Sequence, residues 1–393
     1  MIKKVKNLYQ EKFNKLPNLI YFSPGRVNII GEHIDYNGGN VLPMAISLGI
    51  YAALSFRDDS KCYVYSDTFN TIEMFDTNNL EKKSGELFSI YIKGIIHTLK
   101  RYKIINEING FDMVLLSTLP ASSGLSSSAA LELLIINILN DYYKLNIDKI
   151  DLVKMAQETE RFYVGVNCGI MDQFAIGMSI KDKAIYLNTS LNQDNEYDYK
   201  YIDFNLNDAT FVIINTMKPR NLVVSKYNER REECENGLKI FKTVLDKNDL
   251  CSYSLDELEE NKKLFNDVIY RRIHHVISEN QRVIRALNAM KYGNSKELGL
   301  LLKASHKSLK EDYEVTGVHL DTISLELQKY DEVLGARMTG AGFGGCAIAL
   351  FRGKNQLVID RIMKAVNQKY YQELGINLEY YFVESSNGTH QIK

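Results

Sequence analysis

Apolar residues at Val5, Leu8, Tyr9, Phe13 and Leu16 recur every three or four positions and predict an amphipathic helix over the first turns of the chain. β-Branched and aromatic clusters at 20–22, 49–56 and 62–65 predict strands. The apolar run at 111–118 predicts another, broken at Pro120. Helical patterning follows at 127–145 and 151–165, then short strand-like runs at 184–187 and 211–215. Beyond these, helices are predicted at 225–244, 255–292, 295–313 and 355–370, with strands at 346–351 and 378–383. Strands mixed with helices but without regular alternation predict an α+β architecture. The polar stretch 192–201 offers a boundary, dividing the chain into domains at 1–195 and 196–393.

Composition narrows the class without naming a chemistry. The 393 residues are 45% hydrophobic and 25% charged, and the net charge of -1 gives no field to draw nucleic acid or a membrane surface. The richest apolar run, 131–139, is interrupted by Glu132 and Asn137 and is too short to span a bilayer. The lysine-rich start lacks the apolar core of a signal peptide. Five scattered cysteines contain no C-x-x-C pair, which argues against zinc and a disulfide framework and for reduced thiols. The expectation is a cytoplasmic, monomeric protein acting on small molecules, with neither nucleic acid nor membrane as partner.

Three segments carry chemistry. In the first, Arg26 precedes Gly31-Glu32-His33-Ile34-Asp35. One guanidinium and three hydrogen-bonding groups on one rim suit a ligand with an anion and several hydroxyls, such as a phosphorylatable sugar. In the second, Pro120-Ala121-Ser122-Ser123-Gly124-Leu125-Ser126-Ser127-Ser128 lies between a predicted strand and a predicted helix. There, small residues, hydroxyls and free N–H groups can converge on phosphate at the positive end of a helix. A Ser-rich loop alone is more often a linker or an N-cap. In the third, Glu160 lies on a helix and Asp172 follows a Gly-broken turn among Ile170, Met171 and Phe174. A carboxylate partly buried by such neighbours needs a cation or a metal. Acids in these positions are otherwise solvated or act as caps.

Other motifs are excluded. No G-x-x-x-x-G-K-[ST] or protein-kinase signature is present. Gly340, Gly342 and Gly345 spell G-x-G-x-x-G, but a strand follows where a dinucleotide site needs a helix, so a tight turn with positive φ is expected. The charged stretch 227–235 reads first as a solvated helix face with i,i+4 pairs.

The wording of these segments resembles the galactokinase branch of the GHMP kinase superfamily. Gly-Arg-Val-Asn-x-Ile-Gly-Glu-His-x-Asp-Tyr-Asn at 25–37, the Pro-x-x-x-Gly-Leu-Ser-Ser-Ser-Ala loop at 120–129 and Gly-x-Met-Asp-Gln at 169–173 carry it. Tyr-Asn-x-Arg-Arg-x-Glu-Cys at 227–234 and the glycine-rich 339–345 extend it. Ile34 stands where the family usually has Thr, and Asn188 where it more often has Asp.

The resemblance implies a two-domain GHMP kinase fold, an N-terminal mixed sheet with helices and a C-terminal α+β domain, with the active site in the cleft between them. It implies ATP- and Mg²⁺-dependent phosphorylation of the 1-hydroxyl of galactose. A kinase for a related sugar such as N-acetylgalactosamine is the alternative. A non-catalytic galactose/ATP sensor is disfavoured by the intact loop and by the presence of Arg26 and Asp172. The implied catalytic residues are Asp172 and Arg26, and the implied sugar contacts are Glu32, His33, Ile34, Asp35, Gly169 and Tyr227. The implied ATP contacts are Ser66, Ser122, Ser123, Gly124, Leu125, Ser126, Ser127 and Ser128, with Ser128 and Glu160 on the metal. Arg26 beside Asp172 would favour the carboxylate, so Asp172 is expected to orient the hydroxyl and take its proton late.

Overall fold

A computed structural model describes residues 1–120, 123–204, 206, 208–218 and 223–392. The strands are β1 (Leu19–Asn28), β2 (Asn40–Val41), β3 (Pro43–Phe56), β4 (Lys61–Ser66), β5 (Thr71–Asp76), β6 (Phe111–Ser117), β7 (Lys183–Leu191), β8 (Tyr197–Asp203), β9 (Ala209–Asn215), β10 (Val333–Thr339), β11 (Cys346–Arg352), β12 (Glu379–Phe382) and β13 (His390–Gln391). The helices are α1 (Ile2–Phe13), α2 (Ser89–Arg101), α3 (Ser127–Tyr142), α4 (Lys149–Glu158), α5 (Met171–Met178), α6 (Val223–Phe241), α7 (Leu255–Glu260), α8 (Asp267–Lys291), α9 (Ser295–Glu311), α10 (Val318–Leu327) and α11 (Gln356–Leu374).

The first sheet has the order β13-β1-β3-β6-β4-β5 and is mixed, because β4 runs parallel to β6 while its other pairs are antiparallel. The second, β10-β11-β9-β12, is wholly antiparallel, and β2-β7-β8 form a third. The predicted α+β class with a mixed N-terminal sheet holds. The apolar α3 is buried along most of its length and packs on β1, β3 and α2. The last strand, β13, returns to β1, pairing Gln391 with Tyr21, while the Ser23 and Thr389 hydroxyls meet at 2.7 Å. Among the described residues no helix is long and apolar enough to cross a membrane.

Several elements depart from the sequence pattern. Leu16 is exposed, since α1 stops at Phe13 and Asn14 closes it in the left-handed region with its N–H on the Gln10 carbonyl. The predicted helix 255–292 is broken, because Asn266 restarts it by capping Ile269 N. The helix predicted at 151–165 becomes α4 followed by a π-helical turn over Thr159–Val164. Asp172 lies in the first turn of α5 rather than in a loop. The polar stretch 192–201 forms a hairpin turn and the start of β8, which pairs with β7.

Candidate active site

The site begins with a break in β1. Its register against β3 shifts between Pro24 and Arg26, the signature of a bulge, and bulges re-aim side chains. Arg26 is buried with its guanidinium on Asp172: Nε donates to Oδ1 at 2.7 Å and Nη2 to Oδ2 at 2.9 Å. Arg26 Nη1 donates to the Gly124 carbonyl at 2.8 Å, which ties the strand to the Ser-rich loop. In that loop Gly124 and Ser126 both adopt positive φ, 75° and 62°. Ser126 Oγ, freed from capping α3, donates to Asp172 Oδ2 at 2.5 Å. Asp172 therefore accepts three hydrogen bonds and is the hub of the site.

Ser128, in the first turn of α3, donates to Glu160 Oε1 at 2.8 Å. The other oxygen of Glu160 accepts from Gln173 Nε2 at 2.5 Å, and the same amide nitrogen reaches Glu132 at 3.3 Å. Burial raises Glu160 above the usual carboxylate range, helped by Asp172 and opposed by the Ser128, Cys168 and Gln173 hydrogen bonds. Glu132, fully buried, is raised further by burial and by Glu160. A divalent cation between these acids would favour their charged forms, and the donors are hard oxygens. Among the described residues no group of three or more His, Cys, Asp or Glu forms a metal cage. Mg²⁺ needs none where one or two carboxylates are joined by substrate phosphates.

The opposite wall comes from residues 31–35. Glu32 Oε1 accepts from Thr339 Oγ1 and Gly340 N, both at 2.9 Å, and from the fully buried Arg337 at 3.1 Å. Arg337 in turn donates to the carbonyls of Asn28, Ile29 and Met338. Gly31 N is held by Glu279, which also accepts from Ser305. Burial would raise Glu279, but Arg282, His275 and Arg337 hold it down at about 2. Burial raises Asp35 to about 7, with Asp172 and Glu32 adding to the rise. A Cβ on Gly169 would stand 1.9 Å from Asp35 Oδ2, so any larger residue there would push the Asp35 carboxyl aside. The expected glycine turn spans 340–345, between β10 and β11, with positive φ at Gly340, Gly342, Phe343, Gly344 and Gly345. A Cβ at Gly340 would meet the Gly124 carbonyl at 2.7 Å, so this turn seats directly on the Ser-rich loop.

These walls enclose a cavity of about 260 Å³. Arg26, Glu32, His33, Asp35, Gly169, Asp172 and Tyr227 line it, as do Ser123, Gly124, Ser126, Ser127, Ser128 and Glu160. Three expected contacts lie elsewhere. Ile34 is fully buried, packed beside Gly39, so the side chain that replaces Thr faces the core rather than the cavity. Leu125 is buried too, and what it gives the site is its carbonyl, which accepts from Arg26 N. Ser66 lines a second pocket of about 310 Å³ with Phe69, Phe88 and Tyr91, and that pocket shares Ser127 and Ser128 with the cavity. Ser122 lies outside the described residues. Asn188, the other departure, accepts from Ser190 N and pairs with Asn40.

Gln173, Glu132, Arg337, Tyr36 and Tyr313 act on the site without having been singled out by the sequence. Arg337, a charge within an apolar strand, left a signal, and Gln173 and Tyr36 lie inside motifs that carry the resemblance.

Residues 7–56 match the galactokinase galactose-binding signature, 90–179 the GHMP kinase N-terminal domain and 283–372 the GHMP kinase C-terminal domain. A galactokinase of Clostridium perfringens is 45% identical over 389 residues, covering 98% of each chain. The chain belongs to the galactokinase family. The galactokinase of Levilactobacillus brevis is 43% identical over 97% of each chain. The crystal structure of Lactococcus lactis galactokinase complexed with galactose superposes with a TM-score of 0.93 at 42% identity, over 100% of both chains. Methanococcus jannaschii mevalonate kinase, at 20% identity and a TM-score of 0.68, shares the fold. In this galactokinase-family chain the Arg26–Asp172 pair, the Ser-rich loop and the glycine turn meet around one cavity.

Proposed function

We propose that this chain transfers the γ-phosphoryl group of ATP to the 1-hydroxyl of galactose, with Mg²⁺ held by Ser128 and Glu160. The observation that carries this reading is the Arg26–Asp172–Ser126 cluster, which stands between a hydroxyl-reading wall and a phosphate-binding loop. Glu32, His33, Asp35, Gly169 and Tyr227 would hold the sugar. Ser123 to Ser128 and the N-terminus of α3 would hold the phosphates, where helix N–H groups favour anions. The aromatic pocket around Phe69 and Phe88, whose rings stack at 5.8 Å, suits a nucleobase. When bound, Mg²⁺ would neutralise charge on the phosphate oxygens.

Asp172 would orient the sugar hydroxyl and accept its proton late, since phosphoryl transfer passes through a loose transition state. Of the five N–H groups on the Arg26 guanidinium, three already bond to Asp172 and Gly124. Two remain for the oxygens of the transferring group, where they would stabilise developing charge. The test is ADP release by the full chain over a panel of hexoses with and without Mg²⁺. Galactose should be the fastest substrate. Equal or faster turnover of N-acetylgalactosamine, or no sugar-dependent ADP release, would overturn the reading.

A further inference from the structure

His33 lines the cavity at a left-handed φ of 63°, and both of its ring nitrogens are engaged. Nε2 lies 3.3 Å from the Ala341 carbonyl, which can only accept, so Nε2 carries the proton. Burial, reinforced by His275, pushes His33 down to about 3, so the ring is neutral and Nδ1 is bare. Nδ1 must then accept the hydroxyl of Tyr36 at 2.8 Å. With that proton committed, the 2.9 Å contact between Tyr36 and Tyr313 has Tyr313 as donor. Tyr313 in turn has only a lone pair for Cys234 Sγ at 3.1 Å, so the thiol donates. Burial keeps this proton in place by raising the Cys234 thiol to about 12. The Ala341 carbonyl, across a long 3.3 Å bond, and the Tyr36 hydroxyl at 2.8 Å thus hold the same tautomer from opposite ring nitrogens, and four consecutive hydrogen bonds run in one direction.

We propose that Cys234, Tyr313 and Tyr36 form a one-way hydrogen-bond chain that, together with the Ala341 carbonyl, fixes His33 as its Nε2–H tautomer, so that the ring is held at the cavity wall as a donor to the glycine turn. The chain links four segments that are distant in sequence: α6, the residues after α9, the 31–39 loop and the 340–345 turn. Tyr36, Tyr313 and Cys234 act as positioning residues. Hydrogen bonds in such a chain polarise one another, so the terminal bond depends on the first. The consequence for the sugar rests on the proposed substrate, whereas the tautomer does not.

The test is long-range ¹H–¹⁵N NMR of the full-length protein with ¹⁵N-labelled histidine, the His33 signals being assigned by their loss in His33→Gln. The expected spectrum has a protonated Nε2 and a bare Nδ1. Tyr36→Phe should give a tautomer mixture and raise the galactose KM roughly 2- to 10-fold, the size of one lost hydrogen bond, with a much smaller change in kcat. Tyr313→Phe leaves Tyr36 as donor, so it should keep the tautomer and move KM less, and Cys234→Ser should match the parent. A protonated Nδ1 in the parent protein overturns the proposal. So does Tyr36→Phe with an unchanged tautomer. If Tyr36→Phe does not fold, the parent and Tyr313→Phe spectra decide. An intact tautomer response without any sugar effect would count against the substrate assignment alone.

Discussion

Arg26 grips Asp172 by both carboxylate oxygens, at 2.7 and 2.9 Å, and Ser126 adds a third donor to one of them. A carboxylate so supplied with donors is held in one orientation. It suits aligning a hydroxyl better than pulling its proton early.

Asp172→Asn should therefore keep galactose affinity within a few-fold while lowering kcat by about 10²–10⁴, the usual reach of a positioned proton acceptor. Calorimetric binding and steady-state rates read the two effects separately. Loss of sugar binding with kcat retained would contradict the assignment.

Arg26→Ala should lower kcat by about 10²–10³, since two N–H groups for the transferring phosphoryl disappear together with the clamp on Asp172. Arg26→Lys restores the charge but not the fork, so it should recover only part of the loss. Full recovery with Lys would mean that charge alone matters.

Gly169→Ala tests the sugar wall directly. Its Cβ would meet Asp35 Oδ2 at 1.9 Å, forcing that carboxyl to move. The galactose KM should rise roughly 10- to 100-fold, as for a misplaced binding group, with the thermal midpoint little changed. An unaltered KM would remove Asp35 and Gly169 from the sugar site.

Asp35 should leave a mark on stability. Its carboxyl titrates at about 7 in the folded chain against an ordinary value of 3.8. Between these values the folded state holds the extra proton, so this group's contribution to stability falls as pH rises from about 4 to about 7 and is flat above. Asp35→Asn removes the effect. The variant's melting temperature relative to the parent should climb between pH 5 and 8 by differential scanning calorimetry. A constant difference across that range would refute the raised value.

Much of the site was written locally. The Ser-rich loop, the Glu32–Asp35 segment and the Met171-Asp172-Gln173 run each present their chemistry within a few residues, so their wording could be read directly. What escaped depends on contacts between distant residues. Arg337 reaches Asn28, Ile29 and Glu32, and Tyr313 reaches Tyr36 and Cys234, across separations no periodicity encodes. Ile34 misled for the opposite reason: its motif position is shared with cavity residues, but its side chain turns into the core. The break before α8 and the hairpin at 192–201 show side-chain capping and strand pairing overriding a simple pattern of polarity.

The pairing of β13 with β1 makes the birth of this protein strictly ordered in time. The strand that carries Arg26 is made well before the partner on its outer edge, which lies some 366 residues downstream, as the Ser23–Thr389 contact measures. At roughly 5–20 residues per second on the ribosome, β1 waits on the order of 20–70 s with that edge open. An open strand edge is a template for pairing with other chains. Until residue 391 emerges, Arg26 sits on a strand still lacking one neighbour.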